Sequence, residues 1–265
     1  MKNYKITRIL PFVSIAGLML TGCSNGREDR ENDNEPSIEF KSYHFDAIAQ
    51  MQEDVDKEVN NLCRVSGQGI LPERIGNNNI TVLLDSLTKL AEVIIVDKNT
   101  AQPALDNNLL LTELKADTTD ACSVMANELS VDLVTPYLVV WKDFAFTYLC
   151  GAAHGMYSTT FVNYSIKEGK IITLPELFKA GYEEPLKNMI REKLEEDKVT
   201  LLVNLSEIEI PNDFRITTHS IEFIYGLYEI APYSSGEITV EVPRYELEDL
   251  FAENVSEMLF GSVFN

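Results

Sequence analysis

The stretch YLCGAAHGMYSTTFVNYSIKEGKIITLPELF, residues 148–178, concentrates the backbone-constraining residues of this chain. It predicts the end of an apolar strand, a break at Gly151–Gly155 and a second strand over Tyr157–Ile166. A turn and a short third strand then lead into a helix, whose start Thr173 and Glu176 mark as a capping box. The stretch therefore predicts a rigid unit of strand, break, strand and capped helix.

Upstream of this unit, helical patterns prevail. Ile38–Phe45 alternates as a strand does. Apolar residues spaced three and four apart predict helices at Asp46–Cys63, Thr81–Val96 and Leu109–Leu129. The β-branched end of the second of these helices is also compatible with a strand. Glycine, proline and asparagine predict a loop at Ser66–Asn79 and a turn at Asn99–Asn107.

From Ser130 the hydrophobic period changes to two. It predicts strands at Val131–Thr135, Tyr137–Lys142 and Phe144–Cys150, with a turn at Trp141–Asp143. The C-terminal part predicts a helix at Glu183–Asp197, a hairpin of Phe214–Thr217 with Ile221–Tyr225, a strand at Glu237–Val242 and a final helix from Pro243. Helices followed by meandering strands indicate an α+β fold with mainly antiparallel strands.

The charge of the chain restricts its partners. Its 265 residues include 42 acidic and 22 basic side chains, which gives a formal charge of −20. A basic stripe for nucleic acid is therefore not expected. Strong acidity favours cationic partners and repels anionic polymers, although a solvated acidic surface without a specific partner gives the same composition.

The N-terminus has the pattern of a bacterial lipoprotein signal peptide. A basic segment precedes an apolar run, Ile9–Leu20, that is too short to span a bilayer comfortably. The run ends in Leu-Thr-Gly-Cys, which resembles a lipobox and implies cleavage after residue 22 and lipidation of Cys23. Cleavage would change the formal charge from −20 to −23, because residues 1–22 contain three basic and no acidic side chains. Residues 23–37 predict a disordered tether, because they lack large apolar side chains.

Three further cysteines are present, Cys63, Cys122 and Cys150. An odd number permits at most one disulfide within the chain, and the pattern leaves open which two would pair. Their spacings match neither a zinc site nor a redox pair. We expect neither a metal nor a cofactor.

Two blocks together resemble one known family. Residues 148–178 resemble its strand, Gly-Gly-Ala-His-Gly break, Asn-bearing strand and capped helix, with Ala152 replacing the second glycine. The segment FRITTHSIEFIYGLYEIAPYSSGEITVEVPRYELEDLF, residues 214–251, resembles its C-terminal block. The chain is thereby similar to the RsiV-like domain of unknown function, which occurs outside the membrane in a sigma-factor antagonist and in a PdaC-type deacetylase.

The resemblance of residues 148–178 and 214–251 to this family implies two domains. We expect a small α+β subdomain of helices and strands over residues 38–147. A mixed α/β domain is expected to follow over residues 148–265.

The resemblance implies a sensing domain that binds a cationic protein such as lysozyme. The chain departs from both family architectures, since it has neither a transmembrane segment with a cytoplasmic part nor the separate metal-binding domain of the deacetylase. Direct anti-sigma activity and deacetylase activity are therefore not expected.

Candidate ligand-binding residues surround the break and the Tyr-Glu-Ile-Ala-Pro-Tyr loop: Gly151, His154, Gly155, Tyr157, Tyr228 and Tyr233. A histidine in a break can present its ring to a ligand or serve in acid–base chemistry. One histidine without a partner makes neither a triad nor a metal site, so the sequence favours a histidine held by local backbone hydrogen bonds. The three tyrosines are likewise candidates either for a shallow groove or for the core.

The sequence thus predicts a non-catalytic binding or sensing lipoprotein of the cell envelope. It would be held on the membrane through its lipid, at a periplasmic or surface face. Its ligand is expected to be a cationic envelope protein or a peptidoglycan fragment. The alternative is an envelope glycan or peptide hydrolase, or a protein associated with a deacetylase, that uses His154.

Overall fold

The computed structural model describes residues 5–6, 37–50, 62–91, 95–97, 102–104, 123–149 and 152–260. The signal peptide beyond residues 5–6, the tether up to residue 36, and Cys23, Cys122, Cys150 and Gly151 lie outside the described residues. None of the described helices is long and apolar enough to cross a membrane.

The N-terminal part of the described chain is mainly β-structure. Its strands are β1 (Lys5–Ile6), β2 (Ile38–Gln50), β3 (Leu62–Ile75), β4 (Ile95–Asp97), β5 (Gln102–Ala104), β6 (Ser123–Val134), β7 (Leu138–Leu149), β8 (Met156–Ser165) and β9 (Lys170–Ile171). β4 pairs with β5, and the other seven form one sheet in the order β1-β2-β3-β6-β7-β8-β9. Neighbours in this sheet are antiparallel except β3 and β6, which are parallel.

The helices and a second sheet complete the described fold. The helices are α1 (Thr81–Leu90), α2 (Leu174–Leu177), α3 (Glu183–Glu196), α4 (Arg244–Leu247) and α5 (Val255–Phe260). β10 (Asp213–Ile216), β11 (Ser220–Tyr225) and β12 (Ile238–Pro243) form an antiparallel sheet. Short 3₁₀ turns occur at Leu205–Glu207 and Tyr233–Ser235.

One hydrophobic core lies between the large sheet and α1. Leu83 and Leu87 form the buried side of this helix, and they belong to the same cluster as Trp141 and Tyr164 of the sheet. The indole Nε1 of Trp141 donates a hydrogen bond to the carbonyl of Ile70 at 3.1 Å. The large ring is thereby buried without an unpaired N–H group.

A second core lies on the opposite face of the sheet. Val140 precedes Trp141, and successive strand side chains point to opposite faces. Val140 is buried together with Ile190 of α3, Phe223 of β11 and Val242 of β12. The C-terminal helices and the three-stranded sheet therefore cover this face.

Two polar contacts attach the C-terminal sheet to the large sheet. The buried amide of Asn163 donates to the carbonyl of Phe214 at 2.8 Å and accepts from the amide of Ile216 at 2.9 Å. Arg215 binds Asp132 through two N–H groups, at 2.6 and 3.1 Å. Asn163 thus pairs with β10 as a neighbouring strand would.

The predicted helix at Asp46–Cys63 is wrong where it is described. Residues up to Gln50 belong to β2, and residues from Leu62 onward belong to β3. The predicted loop at Ser66–Asn79 is also wrong, because β3 continues to Ile75. β2 and β3 pair at thirteen positions, and this long-range pairing outweighs local periodicity and the unfavourable strand propensity of glycine.

Three further predictions need correction. The described end of the predicted helix Leu109–Leu129 is strand β6, which pairs with neighbours on both sides. The predicted turn at Trp141–Asp143 is absent, because β7 runs through these residues between two partner strands. The turn predicted at Asn99–Asn107 contains β5, which pairs with β4.

Other predictions are confirmed. α1 begins at the predicted Thr81 but ends at Leu90, and Ile95–Asp97 forms β4, as the strand alternative for that end predicted. α3 and the hairpin of β10 and β11 lie where they were expected. Thr173 and Glu176 form the predicted capping box. The mixed helix and strand fold with mostly antiparallel sheets is confirmed as well. The predicted boundary between residues 147 and 148 falls inside β7, and the division into two domains stays a prediction.

Candidate functional site

The break before β8 and the loop between β11 and β12 meet in an exposed cluster of rings. The break places His154 at one end of the large sheet, two residues before Met156, the first residue of β8. The loop contributes Tyr228 and Tyr233, which both contact the imidazole ring. We call His154, Tyr228 and Tyr233 the aromatic cluster.

Both nitrogens of His154 have polar neighbours. Nδ1 lies 3.0 Å from the carbonyl oxygen of Gly155, and Nε2 lies 3.2 Å from the hydroxyl of Tyr228. A carbonyl only accepts hydrogen bonds, so this geometry favours the proton on Nδ1 and leaves Nε2 to accept from Tyr228. The ring is exposed to solvent despite these contacts.

Tyr233 holds the histidine from the other side. Its ring stacks on that of His154, with centroids 3.9 Å apart and planes inclined by 24°. Its hydroxyl donates to the carbonyl of Gly155 at 2.8 Å. The same carbonyl thus accepts from both rings, and this double contact fixes the break against the loop.

Gly155 is required at this point by close packing. A Cβ atom here would lie 2.5 Å from the ring of Phe146. Any larger residue would displace this ring or the break itself.

Tyr228 has a strained backbone. Its φ angle is +64°, a left-handed conformation that residues with a Cβ rarely adopt. The side chain of Glu229 stabilises the turn by accepting from the amide of Gly226 at 2.7 Å. Tyr228 is nevertheless 48% exposed, so core packing alone does not explain the strain.

A second set of contacts positions the loop. The ring of Tyr157 packs on that of Phe144, with centroids 5.9 Å apart. Gly236 approaches the hydroxyl of Tyr157 so closely that a Cβ atom would lie 3.0 Å from it. Glu237 accepts a hydrogen bond from the amide of Thr159 at 2.7 Å. Tyr157 therefore supports the loop next to the aromatic cluster and makes none of the cluster's ring contacts.

Three carboxylates accompany the loop. Burial, reinforced by the negative charges of Glu229 and Glu237, raises the pKa of the Asp213 carboxyl above its ordinary value. Within the described part of the chain, no salt bridge joins these three carboxylates to lysine or arginine. The side of the loop next to the cluster is therefore electronegative.

The structure thus brings together four of the six predicted site residues: His154, Gly155, Tyr228 and Tyr233. Tyr157 lies beside them, and Gly151 falls outside the described residues. Sequence reasoning missed the carboxylates. Glu229 and Glu237 had a signal in their positions beside Tyr228 and Gly236, whereas Asp213 had none. It also missed the role of Asn163, which the family resemblance marked only as the asparagine of its strand.

The groups around His154 indicate what the aromatic cluster can do. No group of three histidine, cysteine or acidic residues there is able to hold a metal ion. The neighbours of His154 are a carbonyl and two phenols, which are groups that orient a ring and offer a surface for binding.

A cavity of about 410 Å³ lies elsewhere. Its lining includes Lys167 of the β8–β9 turn, Lys170 of β9, Glu176 of α2, and Val255 and Met258 of α5. It shares no residue with the aromatic cluster.

Known proteins share this architecture. Residues 175–245 match a family model described as a protein of unknown function, DUF3298. The matched segment includes Tyr228 and Tyr233 and begins after His154. No curated protein matches the chain.

Two solved structures extend the DUF3298 likeness to most of the fold. A DUF3298 family member from Bacteroides fragilis is 20% identical and has a TM-score of 0.63, over 85% of this chain and 98% of its own. A DUF3298 protein from Pseudomonas aeruginosa is 15% identical and has a TM-score of 0.59, over 83% of this chain and 97% of its own. At this identity the likeness shows the fold alone.

Proposed function

We propose that this protein is a lipid-anchored binding or sensing module of the cell envelope, and that the aromatic cluster is its ligand-binding surface. The observation that carries the proposal is Tyr228, an exposed tyrosine held in a strained backbone conformation against an exposed histidine. Strain of this kind is concentrated at functional sites.

The rings of the cluster suit a ligand that offers cations or flat apolar faces. The face of a tyrosine attracts ammonium and guanidinium groups. Asp213, Glu229 and Glu237 reinforce this preference, since no basic side chain of the described chain pairs with them. A cationic envelope protein of the lysozyme type is therefore the first candidate ligand, and a peptidoglycan fragment is the second.

The location is proposed from the sequence. The lipobox at Cys23 supports a lipid anchor on the membrane, and the RsiV-like resemblance supports a role outside the cytoplasm. Two or more acyl chains hold a protein on a bilayer without a spanning helix. A membrane-anchored, acidic domain would collect cationic ligands from its surroundings.

Binding is tested by titrating lysozyme into the protein at increasing salt concentrations. We expect affinity that weakens with salt, because charge attraction between exposed groups is screened. Tyr228→Ala is the test variant. Tyr245→Ala is the matched control, because Tyr245 is 73% exposed and has no ring contact with the cluster. Failure of lysozyme and of peptidoglycan fragments to bind at low salt would contradict the proposal.

A hydrolase that uses His154 is the alternative. Its support is the contact in which Nε2 accepts from the Tyr228 hydroxyl at 3.2 Å, because an imidazole and a phenol in contact would serve as an acid–base pair. Turnover of peptidoglycan fragments by the wild type that His154→Ala abolishes would establish it. The absence of a nucleophile or carboxylate in contact with this histidine, among the described residues, favours binding.

A further inference from the structure

Two exposed apolar side chains lie next to the loop that carries Tyr228 and Tyr233. Leu202 is 57% exposed and Val203 is 37% exposed. The amide of Leu202 donates a hydrogen bond at 2.8 Å to the carbonyl of Ile230, in the middle of that loop. Both residues lie in a bend of the chain, and we call Leu202 and Val203 the apolar bend.

The apolar bend is close to the aromatic cluster. Tyr228 and Ile230 are two residues apart, so their Cα atoms are separated by at most about 7 Å. The hydrogen bond from Leu202 to Ile230 then places the Cα atoms of Leu202 and Tyr228 within about 14 Å of each other. A typical protein interface buries about 800 Å² on each partner, which is a patch about 30 Å across. One protein partner would therefore cover the bend and Tyr228 together.

The chain around the apolar bend is fixed. Three neighbouring apolar residues pack against the second core, whereas the bend is exposed: Val199, Leu201 and Leu205. Asn204 closes the bend, because the carboxylate of Glu207 accepts hydrogen bonds from its amide and from its side chain, both at 3.0 Å. The bend is thus ordered before a ligand arrives, and binding to it does not carry the cost of ordering a loop.

We infer that the apolar bend is a second contact region for the ligand of the aromatic cluster, and that this ligand is a folded cationic protein and not a glycan fragment. The inference rests on the proposed function and selects between its two candidate ligands. Single exposed apolar side chains are common at protein surfaces. Adjacent leucine and valine side chains close to an exposed tyrosine instead form a patch of the kind found at interaction sites.

The chemistry of the apolar bend favours a protein. Leucine and valine offer only aliphatic groups, which are stabilised by burial against other apolar surface. A sugar ring is covered with hydroxyl groups, which would lose hydrogen bonds to water against such a surface. A protein supplies apolar side chains at the centre of an interface and polar side chains at its rim.

The charge around both contact regions favours a basic protein. Asp213, Glu229 and Glu237 lie in or beside the loop, and burial and the two neighbouring charges raise the pKa of Asp213. In the part of the chain that the structure describes, no salt bridge joins these carboxylates to lysine or arginine. They complement a partner that carries basic side chains around an apolar patch.

The basic side chains next to the bend do not reverse this charge. Lys198, four residues before Leu202, directly follows three acidic residues, 195–197. Arg191 is held by two backbone carbonyl groups of the 206–208 segment. Together with Glu207, the acidic residues outnumber these two cations, and the surface around the bend is net negative.

Calorimetric titration of the full chain with lysozyme tests the inference. The test variant carries both Leu202→Ser and Val203→Ser, and Val82→Ser is the matched control, because Val82 is a 70% exposed apolar residue on α1. We expect the test variant to bind about tenfold more weakly, since two partly buried aliphatic contacts are lost, and the control to bind as the wild type does. The factor is expected to be the same at low and high salt, because screening acts on charges and not on apolar contacts.

Thermal unfolding first establishes that the test variant is folded, and Leu202→Ser alone is the milder variant if it is not. Unchanged lysozyme affinity of the folded variant, or a loss that disappears at high salt, would overturn the inference. The proposed function would still stand if Tyr228→Gly weakened binding.

A titration with peptidoglycan fragments distinguishes the two candidate ligands. Binding of these fragments by a wild type that does not bind lysozyme would overturn the inference and leave the proposed function in place. Binding of neither would contradict the proposed function itself.

Discussion

The hydroxyl of Tyr228 lies 3.2 Å from Nε2 of His154, although 74 residues separate them in the chain. This contact gives the histidine the partner that the sequence alone could not supply. The sequence also predicted that local backbone hydrogen bonds hold this histidine, and its Nδ1 lies 3.0 Å from the Gly155 carbonyl. A histidine fixed by its own turn is therefore also part of an exposed ring cluster.

Replacing Tyr228 by glycine or by alanine tests the backbone strain at this position. Tyr228→Gly is expected to be more stable than Tyr228→Ala by about 1 kcal/mol, because glycine adopts a positive φ angle without steric cost. Chemical denaturation measures this order. Tyr157→Gly and Tyr157→Ala provide the control in strand β8, where alanine is expected to be the more stable replacement. The same order at both positions would contradict strain at Tyr228.

Asn163 is expected to be essential for attaching β10. Asn163→Ala removes two buried hydrogen bonds to the backbone of Phe214 and Ile216, and we expect a loss of about 2–4 kcal/mol in the free energy of unfolding. Urea titration of Asn188→Ala provides the control, because Asn188 is an exposed asparagine on α3. A loss below about 0.5 kcal/mol for Asn163→Ala, as is usual at the surface, would contradict the role of Asn163.

Gly155→Ala tests the packing of the break. The added Cβ would meet the ring of Phe146, and overpacking of this kind costs about 1–3 kcal/mol. Phe146→Leu in the same chain provides space and is expected to recover part of that cost. Additive effects of the two substitutions, measured by thermal denaturation as a double-mutant cycle, would show that the ring and the glycine do not interact.

The raised pKa of Asp213 predicts a defined pH dependence. The folded state binds the proton of the Asp213 carboxyl more tightly than the unfolded state does. Below pH 3.8, the ordinary pKa of this group, the carboxyl is protonated in both states, and its charge therefore costs no stability. The cost appears as the pH rises through the raised pKa. Asp213→Asn is therefore expected to stabilise the protein at neutral pH and to lose this advantage in acid. A constant difference between the two proteins at all pH values would contradict the assignment.

The local signals of the sequence predicted the C-terminal elements well. Thr173 and Glu176 form the expected capping box, and the strands β10 and β11 form the expected hairpin. Such features depend on residues that are close in sequence. The strands β2 and β3 were misread, because their pairing is settled by partners elsewhere in the chain and not by local periodicity.

The candidate site was only partly predictable for the same reason. His154 and Tyr233 stood out by residue type, but their ring contact depends on how the 226–236 loop packs on the break. The positive φ angle of Tyr228 has no signal in the sequence, since tyrosine is not a residue that favours it. Asp213 is the first residue of β10, and its pairing with Ile224 brings it to the loop.

The central claim is that the aromatic cluster binds a ligand, and calorimetric titration with lysozyme tests it most directly. We predict that Tyr228→Gly weakens binding about tenfold, which corresponds to 1.4 kcal/mol of lost ring contact, while the variant stays folded. Tyr245→Ala is expected to bind as the wild type does. Equal affinity of the wild type and Tyr228→Gly would contradict the claim, as would a complete absence of binding of both lysozyme and peptidoglycan fragments.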